Sequence, residues 1–154
     1  MNKLKNLPLR AARKLRRIIV RWLIHDIHST HYCYGQHPIT WGEGCGLANT
    51  IFNTRSGSIQ LGKNVIFGHN CMVITGVHSP DTVDQFRPTE SAGRDITIGD
   101  NVFIGSGAII LGPVIIEKNA VVAAGSIVVH PVAANTLVAG NPARPIRTVG
   151  QRMS

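Results

Sequence analysis

The sequence predicts an all-β chain wound as a left-handed parallel β-helix of hexapeptide repeats. A short N-terminal amphipathic helical segment precedes it, and one protruding loop interrupts it. Three observations predict it: a six-residue apolar period, an eighteen-residue echo laid over it, and a composition of 16 glycines with only 5% aromatic residues. A core with so few rings has to be built from Val, Ile, Leu and Ala, and so many glycines imply many turns.

The period carries most of the weight. Leu61, Phe67, Val73, Ile98, Ile104, Ile110, Ile116, Val122 and Val128 each open a hexad with a large apolar side chain. Four residues later stand Val65, Cys71, Val77, Val102, Ala108, Val114, Ala120, Ser126 and Val132, all small or β-branched. Gly, Ala or Glu follows the opening residue at Gly62, Gly68, Gly99, Gly105, Glu117 and Ala123, while Ile74, Leu111 and Val129 depart from that rule. Ile96-Thr97-Ile98-Gly99-Asp100-Asn101 is echoed by Val114-Ile115-Ile116-Glu117-Lys118-Asn119, so three hexads make one turn. Short flat strands joined by tight turns then stack into a triangular prism, each coil burying its aliphatic residues on the coils above and below. Gly and Asn suit the corners, where left-handed backbone is required.

Residues 1–40 form the N-terminal segment. Leu4, Leu7, Ala11, Leu15, Ile18, Ile19, Trp22 and Leu23 recur at three- and four-residue spacing with Lys and Arg between them, the pattern of a basic amphipathic helix, and Pro8 marks its first turn or a break. Such a helix either lies on an anionic membrane surface through residues 1–25 or packs its stripe on the body or a neighbouring subunit. Its apolar runs, Ile18–Val20 and Trp22–Ile24, are split by Arg21 and far too short to span a bilayer or form a signal-peptide core.

Residues 41–154 form the β-helix domain, and between Val77 and Asp95 its hexads stop. The segment 78–95 is polar, carries Pro80 and Pro88, and is bracketed by good repeats, so it leaves the prism as a loop. Long ordered excursions on a rigid scaffold are where function concentrates.

At 154 residues and 16.6 kDa, with 44% hydrophobic and 16% charged residues, the chain holds one core and has no room for two catalytic domains. The net charge of +8 suggests a nucleic-acid partner until it is mapped. Lys3, Lys5, Arg10, Arg13, Lys14, Arg16, Arg17 and Arg21 fall in residues 1–25 without an acid, and the other eight bases equal the eight acids. The body is neutral and has no basic face interleaved with aromatics, which argues against nucleic acid. Cys33, Cys45 and Cys71 are odd in number and lack a CxxC pair, so reduced thiols in a cytoplasmic setting are expected, with the N-terminal segment placing the chain at the inner face of the membrane if it binds lipid.

Asn70–Asp81 (NCMVITGVHSPD), Ile96–Ile110 (ITIGDNVFIGSGAII), Ala123–Val128 (AAGSIV) and Ala139–Arg147 (AGNPARPIR) together resemble the hexapeptide-repeat acyltransferases. The likeness is to the sugar O-acetyltransferase branch, with maltose and galactoside acetyltransferases and polysaccharide-modifying relatives, and it covers residues 41–148. It implies acetyl transfer from acetyl-CoA directly to a hydroxyl of a sugar or lipid-linked sugar in surface-polysaccharide biosynthesis. It also implies a homotrimer with sites shared between neighbours and no metal.

Residue by residue, the resemblance makes His78 in TGVHSPD the general base. An imidazole titrates near neutral pH and can take the proton of a sugar hydroxyl as its oxygen attacks the thioester. The Gly105-Ser106 step supplies the oxyanion donor through the Ser106 backbone N–H, its hydroxyl being incidental. Ala124, Gly125 and Ser126 meet the pantetheine arm, while Arg144 and Arg147 meet the CoA phosphates, with His130 where several relatives have Lys. Phe103 stands where many relatives have Trp, Asn53 matches an acceptor-contacting Asn in some, and Asp81 or Asp84 either orients His78, binds sugar hydroxyls or is simply solvated.

Other readings compete. The fold also hosts zinc carbonic anhydrases, but His69, His78 and His130 lack their ligand spacing, and His25, His28 and His31 lack a fourth ligand. N-acetylation of a nucleotide-linked amino sugar is the enzymatic alternative, although such enzymes commonly carry a further N-terminal domain. Serine acetylation goes with a long helical N-terminal domain. A non-catalytic membrane-surface scaffold explains the basic helix but not the His loop or NPARPIR.

Overall fold

The computed structural model describes Ile18 and residues 31–76 and 93–150. Residues 1–30, apart from Ile18, lie outside the described residues, as do 77–92. Strands β1 (Tyr32–Gly35), β2 (Ile39–Trp41), β3 (Ile51–Thr54), β4 (Ile59–Leu61), β5 (Ile66–Phe67), β6 (Met72–Ile74) and β7 (Ile96–Ile98) are followed by β8 (Phe103–Ile104), β9 (Ile109–Leu111), β10 (Val114–Ile116), β11 (Val121–Val122), β12 (Ile127–Val128), β13 (Thr136–Gly140) and β14 (Ala143–Thr148).

These strands form three parallel faces of a left-handed β-helix. The first face stacks β1-β3-β6-β9-β12, the second β2-β4-β7-β10, and the third β5-β8-β11-β13 with β14 added antiparallel to β13. Successive strands step from face to face because each hexad is one strand and one corner. Parallel strands that are not consecutive need such a crossover, and here the other two faces provide it.

The hexad pattern is the core. Phe52, Val73, Ile110 and Val128 stack in register behind the first face, Leu61, Ile98 and Ile116 behind the second, and Phe67, Ile104, Val122 and Val138 behind the third. All nine hexad-opening residues are buried, and so is every described residue four positions on; Val77 lies outside the described residues. Full burial of one Ile or Val side chain stabilises by roughly 1.5–3 kcal/mol, so the nine repeats supply the main driving force.

Corners follow the predicted chemistry. Asn64, Asn101, Asn119 and Asn135 all have φ between 55° and 58° at the edge between the second and third faces. Their side chains form a ladder, Asn64 Nδ2 donating to Asn101 Oδ1 (3.1 Å), Asn101 to Asn119 (3.2 Å) and Asn119 to Asn135 (2.9 Å). An amide side chain tolerates left-handed backbone and offers a donor and an acceptor at once, so it satisfies both needs of a stacked corner. Acids staple neighbouring coils: Asp100 Oδ1 accepts the Lys63 N–H (2.8 Å) and Glu117 Oε2 the Ala134 N–H (3.0 Å).

Among the described residues the prism already includes Tyr32–Trp41, ahead of residue 41 where the repeats are expected to begin, since β1 and β2 pair with β3 and β4. Cys33 and Trp41 hold the inward positions of this first coil, opposite Phe52 and Leu61, yet both are exposed. Ile59 and its stacked partner Ile96 are 37 positions apart, where Ile96 and Val114 are 18 apart, so the chain between β6 and β7 is 19 residues longer than one turn needs; most of the expected loop, 78–92, lies outside the described residues.

Candidate active site

The edge between the first and second faces carries the described residues that flank 77–92. Thr75 is buried there, and both its N–H and its hydroxyl donate to the Asn53 carbonyl at 3.0 Å. The Thr75 hydroxyl in turn accepts the Ser56 N–H (3.1 Å). Asn53 is half-buried, its Oδ1 accepts the Arg55 N–H (2.9 Å), and a Cβ on Gly76 would stand 3.7 Å from its Nδ2. Asn53 therefore sits beside the chain two positions ahead of His78. His78, Asp81 and Asp84 lie outside the described residues.

Where the chain returns, Arg94 donates from Nε to the Thr75 carbonyl (3.0 Å) and from Nη2 to the Gly112 carbonyl. Sequence reasoning missed this residue. An arginine that bonds to carbonyls leaves no charge pattern, and the only signal is its place one residue before the hexads resume.

The edge between the third and first faces carries the second group of predicted residues. The Gly105 N–H donates to the Val122 carbonyl (2.8 Å), Gly107 N–H to His69 (2.8 Å) and Gly125 N–H to Ser106 (2.9 Å). The His69 N–H finds its acceptor in the Ser106 hydroxyl (3.1 Å). Ser106 is stacked over Ala124, whose methyl accepts nothing, so the exposed Ser106 has an amide without a coil-to-coil partner among the described residues. A Cβ on Gly105 would stand 2.4 Å from the Ala124 nitrogen, so glycine is what lets these coils close.

Ala124 and Gly125 are exposed on this edge, while Ser126 turns inward. Its hydroxyl accepts the Gly140 N–H (3.3 Å), its N–H donates to Ala123 (3.3 Å) and its carbonyl accepts from Ile109 (2.8 Å). Cys71 occupies the matching inward position, and burial pushes its thiol up, so it is a neutral core filler.

Phe103 is 45% exposed on the third face, in register between Ile66 and Val121. The C-terminal end brings His130 and Arg144 together on one cavity of about 390 Å³, floored by Val128, Val132 and Val138. Arg147 lies opposite Leu137 on β14, away from that lining. Among the described residues no three His, Cys, Asp or Glu are grouped to hold a metal. His31 instead meets Trp41 and Phe52 edge-on, at ring distances of 5.5 and 6.1 Å.

Within one chain these groups are spread over two edges. From Cys71 to Thr75 the first face is four residues wide, about 13 Å at strand rise. Asn53 and the loop base stand on one side of it and Ser106 on the other.

The bacterial transferase hexapeptide family, a model of six repeats, matches residues 95–130. An acetyltransferase-family protein of Saccharomyces cerevisiae is 34% identical over 129 residues, covering 83% of this chain and 65% of that one. A serine acetyltransferase of Synechococcus elongatus is 33% identical over 71% of this chain and 43% of its own length. For the galactoside O-acetyltransferase of Escherichia coli the figures are 36%, 62% and 46%. The chain spans less than two thirds of the length of these relatives. Among solved structures, the hexapeptide-repeat acetyltransferase VCA0836 of Vibrio cholerae, complexed with acetyl-CoA, superposes with a TM-score of 0.57 at 27% identity, covering 86% of this chain and 78% of that one. With its prism, its repeats and these likenesses, the chain resembles the hexapeptide-repeat acetyltransferases, galactoside and serine O-acetyltransferases among them, and residues 95–130 carry the family's repeat.

Proposed function

We propose that this chain is an acetyl-CoA-dependent O-acetyltransferase that moves an acetyl group directly onto a sugar hydroxyl, in the making of a surface polysaccharide. The observation that carries the reading is the Ser106 N–H, exposed on a prism edge and without a coil-to-coil partner among the described residues. Such a donor is oriented before any substrate arrives, which is what stabilises a developing oxyanion. His78 takes the proton of the acceptor hydroxyl as its oxygen attacks the thioester carbonyl. The carbonyl oxygen, now negative, receives the Ser106 N–H. Collapse expels the CoA thiolate, which takes the proton back from the imidazolium. Ala124 and Gly125 border the pantetheine path, and Arg144, with His130 on the same cavity, meets the phosphates.

Because Asn53 and Ser106 stand on different edges, one complete site takes two chains. A closed ring of three satisfies this with heterologous contacts. Setting the loop edge of one prism against the Ser106 edge of the next turns the second face of one toward the third face of the other. The asparagine ladder then points to the threefold axis. Ile115, 55% exposed amid Thr40, Gln60 and Thr97 on the second face, and Ile66 and Phe103 on the third are the apolar contacts this arrangement covers.

The test is free-thiol release from acetyl-CoA against a panel of galactosides, maltose, amino sugars and L-serine, with products identified by mass. Acetate gained on a sugar oxygen supports the reading. Transfer to the serine hydroxyl, the chemistry named for one relative, or to an amino nitrogen replaces the acceptor while leaving the donor in place. No transfer to any member defeats it.

A further inference from the structure

We propose that Arg94 is a positioning residue for acyl transfer: its guanidinium ties the point where the chain leaves the prism to the point where it returns, and so fixes the base from which the His78 segment departs. The inference rests on the acetyltransferase reading for its chemistry and on described residues alone for its geometry.

An uninterrupted corner is held by backbone continuity, as at Leu111-Gly112-Pro113 on the same edge one coil on. At Thr75 that continuity is broken, because the 19 extra residues intervene before the second face resumes. Arg94 replaces it with side-chain bonds. Nε donates to the Thr75 carbonyl (3.0 Å), Nη2 to the Gly112 carbonyl, and the Arg94 N–H to the Ser56 carbonyl (3.3 Å). One residue thus bonds to three successive coils.

The surroundings are shaped to admit it. A Cβ on Gly57 would stand 2.6 Å from the Arg94 carbonyl carbon, and one on Gly112 would stand 2.5 Å from the Arg94 oxygen. Glycine on both sides lets the Arg94 backbone approach, which aims its side chain back along the edge. A planar guanidinium presents two N–H directions at fixed angle and reaches both carbonyls at once, whereas an ammonium on a flexible stem serves one. The Thr75 bond is the consequential one. Thr75 is followed by Gly76 and Val77 and then by His78, so the carbonyl that Arg94 holds is three positions from the base. Asn53, Ser56 and Thr75 complete the fixed node through their own bonds.

The experiment uses the full chain with acetyl-CoA as probe, followed as thiol release, in wild type, Arg94→Lys, Arg94→Ala and His78→Ala. Misplacing a catalytic group by about 1 Å costs on the order of 100-fold in rate. Arg94→Ala is expected to lose roughly that in kcat while its KM for acetyl-CoA stays within about twofold, because none of the residues Arg94 bonds to, Ser56, Thr75 and Gly112, lines the cavity that holds Arg144 and His130. Arg94→Lys falls between, and millimolar guanidinium ion restores part of the rate to Arg94→Ala and none to His78→Ala. A folded Arg94→Ala with kcat within about threefold of wild type, a parallel rise in KM, or no rescue overturns the proposal. Hydrogen exchange at Thr75, Gly76 and Asp95 provides an arm independent of turnover. Faster exchange in Arg94→Ala supports the tie and unchanged exchange refutes it, even if the chain transfers no acetyl group at all, so failure of the clamp and failure of the enzymatic reading are told apart.

Discussion

Replacing Asn119 by alanine and, separately, by glycine isolates what the corner asparagines contribute. Asn119 has φ of 58°, accepts from Asn101 at 3.2 Å and donates to Asn135 at 2.9 Å. Its backbone bond to the Asp100 carbonyl (2.9 Å) survives either change. Holding alanine in left-handed backbone costs about 1–2 kcal/mol. The two ladder bonds are exposed, so about 0.5 kcal/mol each, the low end for a net hydrogen bond, is appropriate. Asn119→Ala should therefore lose about 2–3 kcal/mol, and Asn119→Gly, which keeps the backbone at ease and loses only the ladder and some unfolded-state entropy, about 1 kcal/mol less. Urea unfolding followed by circular dichroism, with the slope checked for constancy, reads both values. If alanine is tolerated as well as glycine, the left-handed corner is not what selects asparagine and the reasoning fails.

Three further outcomes follow. Ser106→Ala strands the His69 N–H and costs about 1 kcal/mol of stability, but because the proposed oxyanion donor is the backbone amide, kcat stays within a few-fold; a hundredfold fall in steady-state rate would move the role to the hydroxyl. The Ser58 hydroxyl first, and then its amide, hold the Asp95 carboxylate below its ordinary 3.8. The folded state thus binds this proton less readily than the unfolded one, so the contribution is present above pH 3.8 and lost as pH falls through the depressed value. Asp95→Asn should flatten the acid limb of a stability-versus-pH curve, and an unchanged limb contradicts the assignment. Ile115→Glu, on an exposed outer position of the second face, should leave the far-ultraviolet spectrum intact and convert a trimer to monomer in light scattering; a variant that still assembles rejects the face pairing.

The repeat was legible because burial obeys it with a fixed period, so Ile98, Ile104 and Ile110 could be assigned to the core from spacing alone. The corners were legible for the same reason, since Asn101 and Asn119 fall at equivalent positions and both need left-handed backbone. The first coil was not. Cys33 and Trp41 hold inward positions but are exposed, and Ile51 and Met72 stack 21 positions apart instead of 18, which blurs the register. Among the proposed site residues, Ser106 is suggested by its motif, but what leaves its amide without a coil-to-coil partner among the described residues, the alanine stacked beneath it, depends on the register. Ser126 followed the motif too, yet its hexad position turns it inward to Gly140. The placing of His130 and Arg144 on one cavity and the reach of Arg94 to two carbonyls depend on how the coils stack, which no local pattern encodes.

In the proposed reaction this prism binds acetyl-CoA and His78 activates the acceptor. Calorimetric titration of acetyl-CoA into wild type, His78→Ala and Arg144→Ala, paired with thiol release from the same samples, tests it most directly. The account predicts binding by wild type, weakened binding by Arg144→Ala, and in His78→Ala undiminished binding with turnover lost. Absence of binding by wild type at millimolar acetyl-CoA, or full turnover by His78→Ala, would contradict it.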